Sequence, residues 1–108
     1  MAITDVKEVF NKMPEKFNAE AGKDLDAVFQ FDITGEGGGS WNVTIHTGTC
    51  LVYEGKSAKA SVTLSLASET WLDMVNKKTS GMQAFMSGKL KVSGNIMLAQ
   101  KIPDLFSF

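Results

Sequence analysis

GMQAFMSGKLKVSGNIML, residues 81–98, is the most informative stretch of this chain. Ser80 is a suitable N-cap for a helix at its start, and Gly88 is a suitable stop for that helix. Apolar and polar side chains then alternate over residues 89–93, as in a strand with one buried face. Asn95 follows a glycine bend and is a second suitable N-cap. The stretch therefore predicts a helix, a short strand and the beginning of another helix.

Upstream of this stretch, the hydrophobic pattern of residues 27–66 has a period of two and predicts four strands. The glycine-rich residues 35–39 predict a hairpin tip, and further turns are expected at Gly48 and at residues 55–57. Each strand has one apolar side and one polar side. We therefore expect one face of the sheet to pack against helices and the other to meet water.

Two more helices are expected from apolar side chains at helical spacing, over residues 5–12 and 68–78. The helix that begins at Asn95 is the third in this group and extends over residues 95–102. Pro14 should interrupt the first, Ser68 should cap the second, and Pro103 should stop the third. The connection over residues 67–89 is long enough for a crossover, so the last strand is expected to lie parallel to a neighbour in a mixed sheet.

Length and composition predict one domain, residues 1–108, with an ordinary soluble composition. Hydrophobic residues make up 44% of the chain and charged residues 21%. No apolar run approaches the roughly 18 residues of a membrane helix, and no signal-peptide pattern begins the chain. The chain also does not end in a peroxisomal Ser-Lys-Leu pattern. Together with a single cysteine, these features favour a cytoplasmic location.

The charges are unevenly distributed along the chain. Residues 1–76 carry 11 acidic residues and 6 lysines, whereas residues 77–108 carry 5 lysines and 1 acidic residue. The formal net charge of −1 and the absence of arginine argue against a nucleic-acid partner and against a bidentate anion clamp. The basic segment is either a solvated face or a surface that binds an anion. In the second case it attracts an anionic lipid head group or makes transient contact with an anionic membrane surface. Its lysines are Lys77, Lys78, Lys89, Lys91 and Lys101.

Catalytic and metal chemistry finds little support in the sequence. The glycine stretch 35–39 lacks the spacing of a phosphate-binding loop and stands between two strands. His46 is the single histidine, and we expect it to be solvated; Cys50 is expected to be a buried, inert thiol. No catalytic residue, metal site or cofactor is predicted.

Flexible apolar side chains, those of methionine, are concentrated in the helices that should cover the sheet. Residues 74–97 contain four of the six methionines. Methionine is unbranched and polarisable, so it adapts to ligands of varied shape. An ordinary hydrophobic core and a lipid-binding surface both agree with this pattern.

AFMSGKLKVSGNIMLAQKI, residues 84–102, resembles the signature of the SCP2 family of sterol-carrier-protein-2 lipid-binding domains, and residues 28–48 resemble its first hairpin. The resemblance implies an α+β fold with a five-stranded, mainly antiparallel mixed sheet, order 3-2-1-4-5, covered on one face by helices. It also implies non-catalytic binding and transfer of fatty acids, fatty acyl-CoA or sterol-like lipids in an apolar tunnel between sheet and helices.

We expect this tunnel to be lined from both layers, with lysines near the lipid head group. The sheet residues are Phe29, Phe31, Trp41, Val43 and Leu64. The helix residues are Leu72, Met82, Phe85, Met86, Met97, Ile102 and Phe106. The head-group lysines are Lys89 and Lys101.

Two other functions stay open at this point, and the sequence leaves the oligomeric state undecided. We expect the apolar tail, residues 105–108, to be exposed, which would suit an accessory or dimerisation domain whose apolar groove binds a protein segment or serves a larger lipid-metabolising enzyme. The second of these open functions is that of a small enzyme.

Overall fold

The computed structural model describes residues 3–107. Its elements follow in the order α1 (Val6–Lys16), β1 (Asp26–Thr34), β2 (Gly39–His46), β3 (Thr49–Glu54), β4 (Val62–Ala67), α2 (Ser68–Val75), α3 (Gly81–Met86), β5 (Leu90–Gly94), α4 (Ile96–Gln100) and α5 (Ile102–Leu105). The predicted strands and the predicted helix–strand–helix stretch are confirmed.

The strands form one mixed sheet in the order β3-β2-β1-β4-β5. In the central pair, β1 and β4 are parallel, with Phe31 opposite Leu64. The other pairs are antiparallel, including β4 with β5, where Leu64 lies opposite Val92. The fold class is therefore confirmed, but the prediction that the last strand is parallel to its neighbour is wrong. The crossover to a parallel strand is made by the connection over residues 55–61, which joins edge strand β3 to β4, and not by the long helical connection over residues 67–89.

The connection over residues 55–61 also changes the polar face of the sheet. Gln30 and Asn42 point to that face, yet they are only 3% and 9% exposed. Their side-chain amides both donate to the Gly55 carbonyl at 3.3 Å, and the Ser57 amide donates to Gln30 Oε1 at 2.8 Å. The expectation of a fully wetted polar face is wrong here, because the connection crosses it and hydrogen-bonds these side chains.

The opposite face of the sheet carries the hydrophobic core, and α1 covers it. Val9, Phe10 and Met13 of α1 are completely buried. The Phe10 ring stacks on Trp41 of β2 with centroids 4.4 Å apart. Aromatic contacts of this kind add to the burial energy, so α1 is held tightly against the sheet.

Two prolines act differently from the prediction. Pro14 lies inside α1 and does not interrupt it, because it falls in the last turn, where its missing N–H removes one hydrogen bond from an ending helix. Pro103 does not simply stop the preceding helix but lies in the first turn of α5, where its fixed φ is favourable.

Helix caps confirm the local predictions in two cases out of three. Ser80 forms a capping box with Gln83 at the start of α3, and the Asn95 side chain accepts from the Met97 amide at the start of α4. Ser68 does not cap α2; Ala67 occupies the cap position, without a side-chain hydrogen bond.

The C-terminal segment packs inward. Leu105 and Phe106 are 1% and 6% exposed, and Phe106 forms an isolated bridge with Phe17. The prediction of an exposed apolar tail is therefore wrong for these two residues, and Phe108 lies outside the described residues. Within residues 3–107, no helix has the length and apolar character needed to cross a membrane.

Candidate functional site

An apolar cavity of about 440 Å³ opens between α1, α2, the start of α3 and α5. Its apolar lining comes from Met13, Trp71, Met74, Val75, Ile102, Pro103 and Phe106. Its other lining residues are Lys77, Lys78, Thr79, Ser80, Gly81 and Gln83. The volume falls in the range of roughly 300–1,000 Å³ typical of small-molecule sites. Two lysines and no carboxylate border it, so its electrostatic environment favours an anion.

Trp71 forms part of the cavity wall and is 3% exposed. Its rings lie 5.4 Å from Phe10 and 5.1 Å from Phe31, measured between centroids. Its indole N–H is buried and has no hydrogen-bond acceptor among residues 3–107. A buried donor without an acceptor costs about 1–3 kcal/mol of folding free energy.

The turn after α2 brings two lysines to the cavity. Lys77 has φ +65°, a left-handed conformation that glycine normally occupies at this position. The Lys77 amide donates to the Met74 carbonyl at 3.2 Å, and the Lys78 amide donates to the Asp73 carbonyl at 2.8 Å. This double pattern is a Schellman motif. It ends α2 at Val75, before the predicted Lys78, and the last turn of α2 contains no basic residue.

A second cavity, of about 450 Å³, is mainly polar. It is lined by Thr70, Asp73, Thr79, Gln83, Ala84, Met86, Ser87 and Lys89. Thr79 and Gln83 border both cavities, so the turn between α2 and α3 separates them. The polar lining makes this second cavity a poor environment for a hydrocarbon chain.

The predicted sheet residues lie in the packed core. Their exposed fractions are at most 6% (Phe29, Phe31, Trp41, Val43 and Leu64). None of them borders either of the two cavities, and Leu72 is partly buried against the core without bordering them. Phe10 occupies the space over the sheet where the sequence led us to expect a tunnel.

Apart from Leu72, the predicted helix residues divide into two groups. Ile102 and Phe106 border the apolar cavity. The other four are exposed, with fractions of 70% for Met82, 48% for Phe85, 80% for Met86, which borders the polar cavity, and 72% for Met97. Of the predicted head-group lysines, Lys89 borders the polar cavity, and Lys101 is exposed and borders neither.

Five apolar cavity residues were not among the predicted site residues. They are Met13, Trp71, Met74, Val75 and Pro103. Trp71 and Val75 are four residues apart and share one side of α2, a spacing visible in the sequence. That spacing could not distinguish a cavity wall from the core, because both are apolar.

The groups considered for chemistry are unreactive or exposed. Burial raises the pKa of the Cys50 thiol from 9.0 to about 11, so the thiol stays protonated at neutral pH. His46 is exposed and pairs with Asp26. Residues 3–107 contain no group of three or more His, Cys, Asp or Glu side chains placed to hold a metal ion.

Comparison with known proteins adds a family and a fold. Residues 6–107 match the model of the SCP-2 sterol transfer family. Hydroxysteroid dehydrogenase-like protein 2 of Rattus norvegicus is 37% identical over 103 residues, which are 94% of this chain but 20% of that protein. The chain thus spans about a fifth of the length of this relative.

Two solved structures are similar along most of their length. Sterol carrier protein 2 of Yarrowia lipolytica, in its apo form, is 28% identical with a TM-score of 0.70; the match covers 89% of this chain and 84% of that one. Palmitated SCP2L2 of Aedes aegypti is 22% identical with a TM-score of 0.75, and the match covers 94% and 93%. The second likeness concerns the fold alone.

Proposed function

The chain belongs to the SCP-2 sterol transfer family of lipid-binding domains, and on that premise we propose that residues 1–108 act as one domain that binds and transfers lipids without catalysis. The proposed ligands are fatty acids, fatty acyl-CoA and sterol-like molecules. The observation that carries the proposal is the apolar cavity of about 440 Å³, bordered by four helices and two lysines.

The cavity suits a hydrocarbon chain for a simple energetic reason. Each methylene removed from water contributes about 0.8 kcal/mol, so a chain of ten buried carbons offsets the entropic loss of binding. Met13 and Met74 have flexible thioether side chains that let the wall adapt to different lipids. Selectivity among chain lengths should therefore be low.

The site residues follow from the position of this cavity. We propose that Ile102 and Phe106 line the lipid site together with Met13, Trp71 and Met74. The exposed side chains of α3 and α4 remain proposed contacts for a lipid that extends beyond the cavity. The palmitated Aedes aegypti protein supports a fatty acyl ligand for the shared fold.

A titration with a fluorescent fatty acid, displaced by palmitate, tests this proposal. Ile102→Trp places an indole in the cavity, and excluding two methylenes would weaken palmitate binding by about 1.6 kcal/mol, or roughly fifteenfold in Kd. Met97→Trp is the matched control, since Met97 is 72% exposed and borders neither cavity. Circular dichroism confirms that both variants fold. A folded Ile102→Trp variant that binds palmitate as tightly as the unaltered chain would overturn the site.

Transfer also requires contact with a membrane, and we propose that α3 and α4 provide it. Five of the seven exposed large hydrophobic side chains of residues 3–107 lie on these two helices: Met82, Phe85, Met86, Ile96 and Met97. The exposed lysines of residues 77–101 would be attracted to anionic lipid. Co-sedimentation with vesicles should rise when phosphatidylserine is added and fall in Phe85→Gln. Equal binding to neutral vesicles, or no effect of Phe85→Gln, would contradict this contact.

A second candidate function is an accessory lipid-binding role within a larger lipid-metabolising enzyme. The rat relative favours it, since the matching segment is a fifth of that protein. The buried Leu105 and Phe106 no longer support a protein-binding tail. Size-exclusion chromatography of the delipidated protein, with and without palmitate, tests the dimerisation form of this proposal: an obligate dimer that excludes palmitate would favour it over lipid transfer.

A further inference from the structure

We propose that the outer edge of β3 pairs in antiparallel fashion with the β3 edge of a second copy of this chain, so that the two sheets join into one. Strand β3 is the last strand at one end of the sheet, and within residues 3–107 no strand lies on its far side. This inference does not depend on the proposed lipid-binding function, because no residue of β3 borders either cavity.

The first argument is the set of backbone groups that β3 leaves unpaired. The Gly55 amide donates to the Ser40 carbonyl at 2.8 Å, directly beyond the ladder that joins β2 to β3. Because hydrogen-bonded and non-bonded pairs alternate along an antiparallel ladder, residues 49, 51 and 53 are those that bond to β2. The N–H and C=O groups of residues 50, 52 and 54 therefore point away from β2, and residues 3–107 offer them no neighbouring strand.

The second argument is a pair of exposed apolar side chains on the same strand. Within residues 3–107 there are seven exposed large hydrophobic side chains, and five of them lie on α3 and α4. The other two are Leu51 and Tyr53, with exposed fractions of 49% and 52%. They lie opposite Thr44 and Asn42 of β2, on the polar face of the sheet. A neighbouring strand at this edge would cover both of them.

The third argument is the charge of the edge. Natural proteins often protect an edge strand with lysine or proline. The other edge strand, β5, carries the exposed Lys91, whereas β3 contains neither residue type. The charged residue of β3 is Glu54, at its end, and Lys7 of α1 pairs with it at 3.7 Å. Two copies of this edge therefore meet through an uncharged centre, which favours a second copy as the partner.

One antiparallel register makes β3 complementary to itself. With Val52 opposite Val52 of the second copy, Leu51 lies opposite its Tyr53, and the outward groups of residues 50, 52 and 54 are all hydrogen-bonded. The two Glu54 side chains are then about 14 Å apart along the strands, beyond the Debye length of about 8 Å at physiological ionic strength. The six residues of β3 are fewer than the roughly 20–30 residues a side of a stable interface, so the dimer should be weak and concentration-dependent.

Sedimentation velocity of the full chain, up to millimolar concentration, tests the pairing. The sedimentation coefficient of the unaltered chain should rise with concentration. Val52→Pro removes an outward N–H, which an edge strand tolerates, and should weaken dimerisation about tenfold, because each dimer loses two hydrogen bonds. Tyr53→Lys changes an exposed side chain and should abolish dimerisation while leaving palmitate binding unchanged. Circular dichroism confirms that the variants fold.

Ser93→Lys is the matched control. Ser93 is exposed and lies opposite Thr63 on the polar face of the sheet, so the variant places a lysine on the same face of the other edge strand. It should dimerise as the unaltered chain does. A sedimentation coefficient that stays constant up to millimolar concentration, or one that rises equally in Tyr53→Lys, would overturn the proposal.

Cysteine crosslinking tests the register. A mixture of Leu51→Cys and Tyr53→Cys should form a disulfide-linked dimer under mild oxidation, because the Cα atoms of a non-bonded antiparallel pair are about 4.5 Å apart. Either variant alone should not, because its two introduced cysteines would be roughly 8 Å apart on the diagonal. If either variant alone crosslinks as readily as the mixture, the register is wrong.

Discussion

Replacing Lys77 with glycine should stabilise the protein while weakening fatty acid binding. Lys77 has φ +65° at the end of α2, a conformation that a side chain with a Cβ atom adopts unfavourably. Its amide donates to the Met74 carbonyl, and glycine would keep this hydrogen bond. The change therefore relieves backbone strain without removing a backbone contact.

The magnitude follows from two opposing effects. The left-handed conformation costs a residue with a Cβ atom roughly 1–2 kcal/mol relative to glycine. Glycine also gains freedom in the unfolded chain, which offsets about 0.5–1 kcal/mol of the benefit. We expect a net gain near 1 kcal/mol in the free energy of unfolding, which corresponds to about 4 °C in Tm for a domain of this size.

Lys77→Ala is the control, because it removes the same ammonium group but keeps a Cβ atom in the left-handed conformation. Urea denaturation followed by circular dichroism should place Lys77→Gly about 1 kcal/mol above Lys77→Ala. Both variants should bind palmitate equally weakly, because both lack a charge at the cavity edge. If the two variants unfold at the same urea concentration, the conformation of Lys77 carries no strain and the reasoning is refuted.

Three further predictions concern the rest of the fold. Gly94→Ala should destabilise the protein more than Gly55→Ala in urea denaturation. Both glycines have positive φ, but only at Gly94 would a Cβ atom meet backbone, 2.8 Å from the Ser61 carbonyl oxygen. Equal losses of unfolding free energy in the two variants would contradict this. Gln30→Ala should cost about 1–3 kcal/mol in the same assay, since it leaves the Ser57 amide without its acceptor, and a loss below 0.5 kcal/mol would exclude that role. Burial raises the pKa of the Cys50 thiol to about 11, so folding favours the protonated thiol. The free energy of unfolding should therefore fall as pH rises from about 9 towards 11. Cys50→Ala should make this fall smaller, and a pH profile of stability that is the same in the variant would disprove the effect.

The sequence predicted the strands and several helix starts because those features depend on neighbours along the chain. Alternation of apolar and polar side chains defined β1 to β5, and the Ser80 capping box is a contact within four residues. The resemblance supplied the strand order, which no local pattern contains.

The sequence failed where distant segments decide the outcome. Gln30 and Asn42 have polar side chains at outward positions, yet the connection over residues 55–61 buries them. Pro14 failed as a helix stop for a local reason, because it falls in the last turn of α1, where it removes one hydrogen bond and the helix still continues to Lys16.

For the candidate site, the sequence indicated the kinds of side chain better than their places in the structure. Ile102 and Phe106 were predicted as site residues and border the apolar cavity, whereas the predicted methionines of α3 and α4 are exposed. Phe31 and Trp41 of the sheet pack against Phe10. The sequence could not show this, because an apolar residue facing a helix has the same pattern whether the space between them is filled or open. Lys77 borders the cavity from a turn with left-handed φ, a backbone angle that the sequence does not reveal.

Native mass spectrometry of the protein as purified from its expression host, with organic extraction of any bound molecule, tests whether the apolar cavity binds a lipid. We expect a near-stoichiometric mass addition that extraction identifies as a fatty acid or another lipid. A bare polypeptide that also fails to bind a fluorescent fatty acid would contradict it and would leave the apolar cavity without a lipid-binding role.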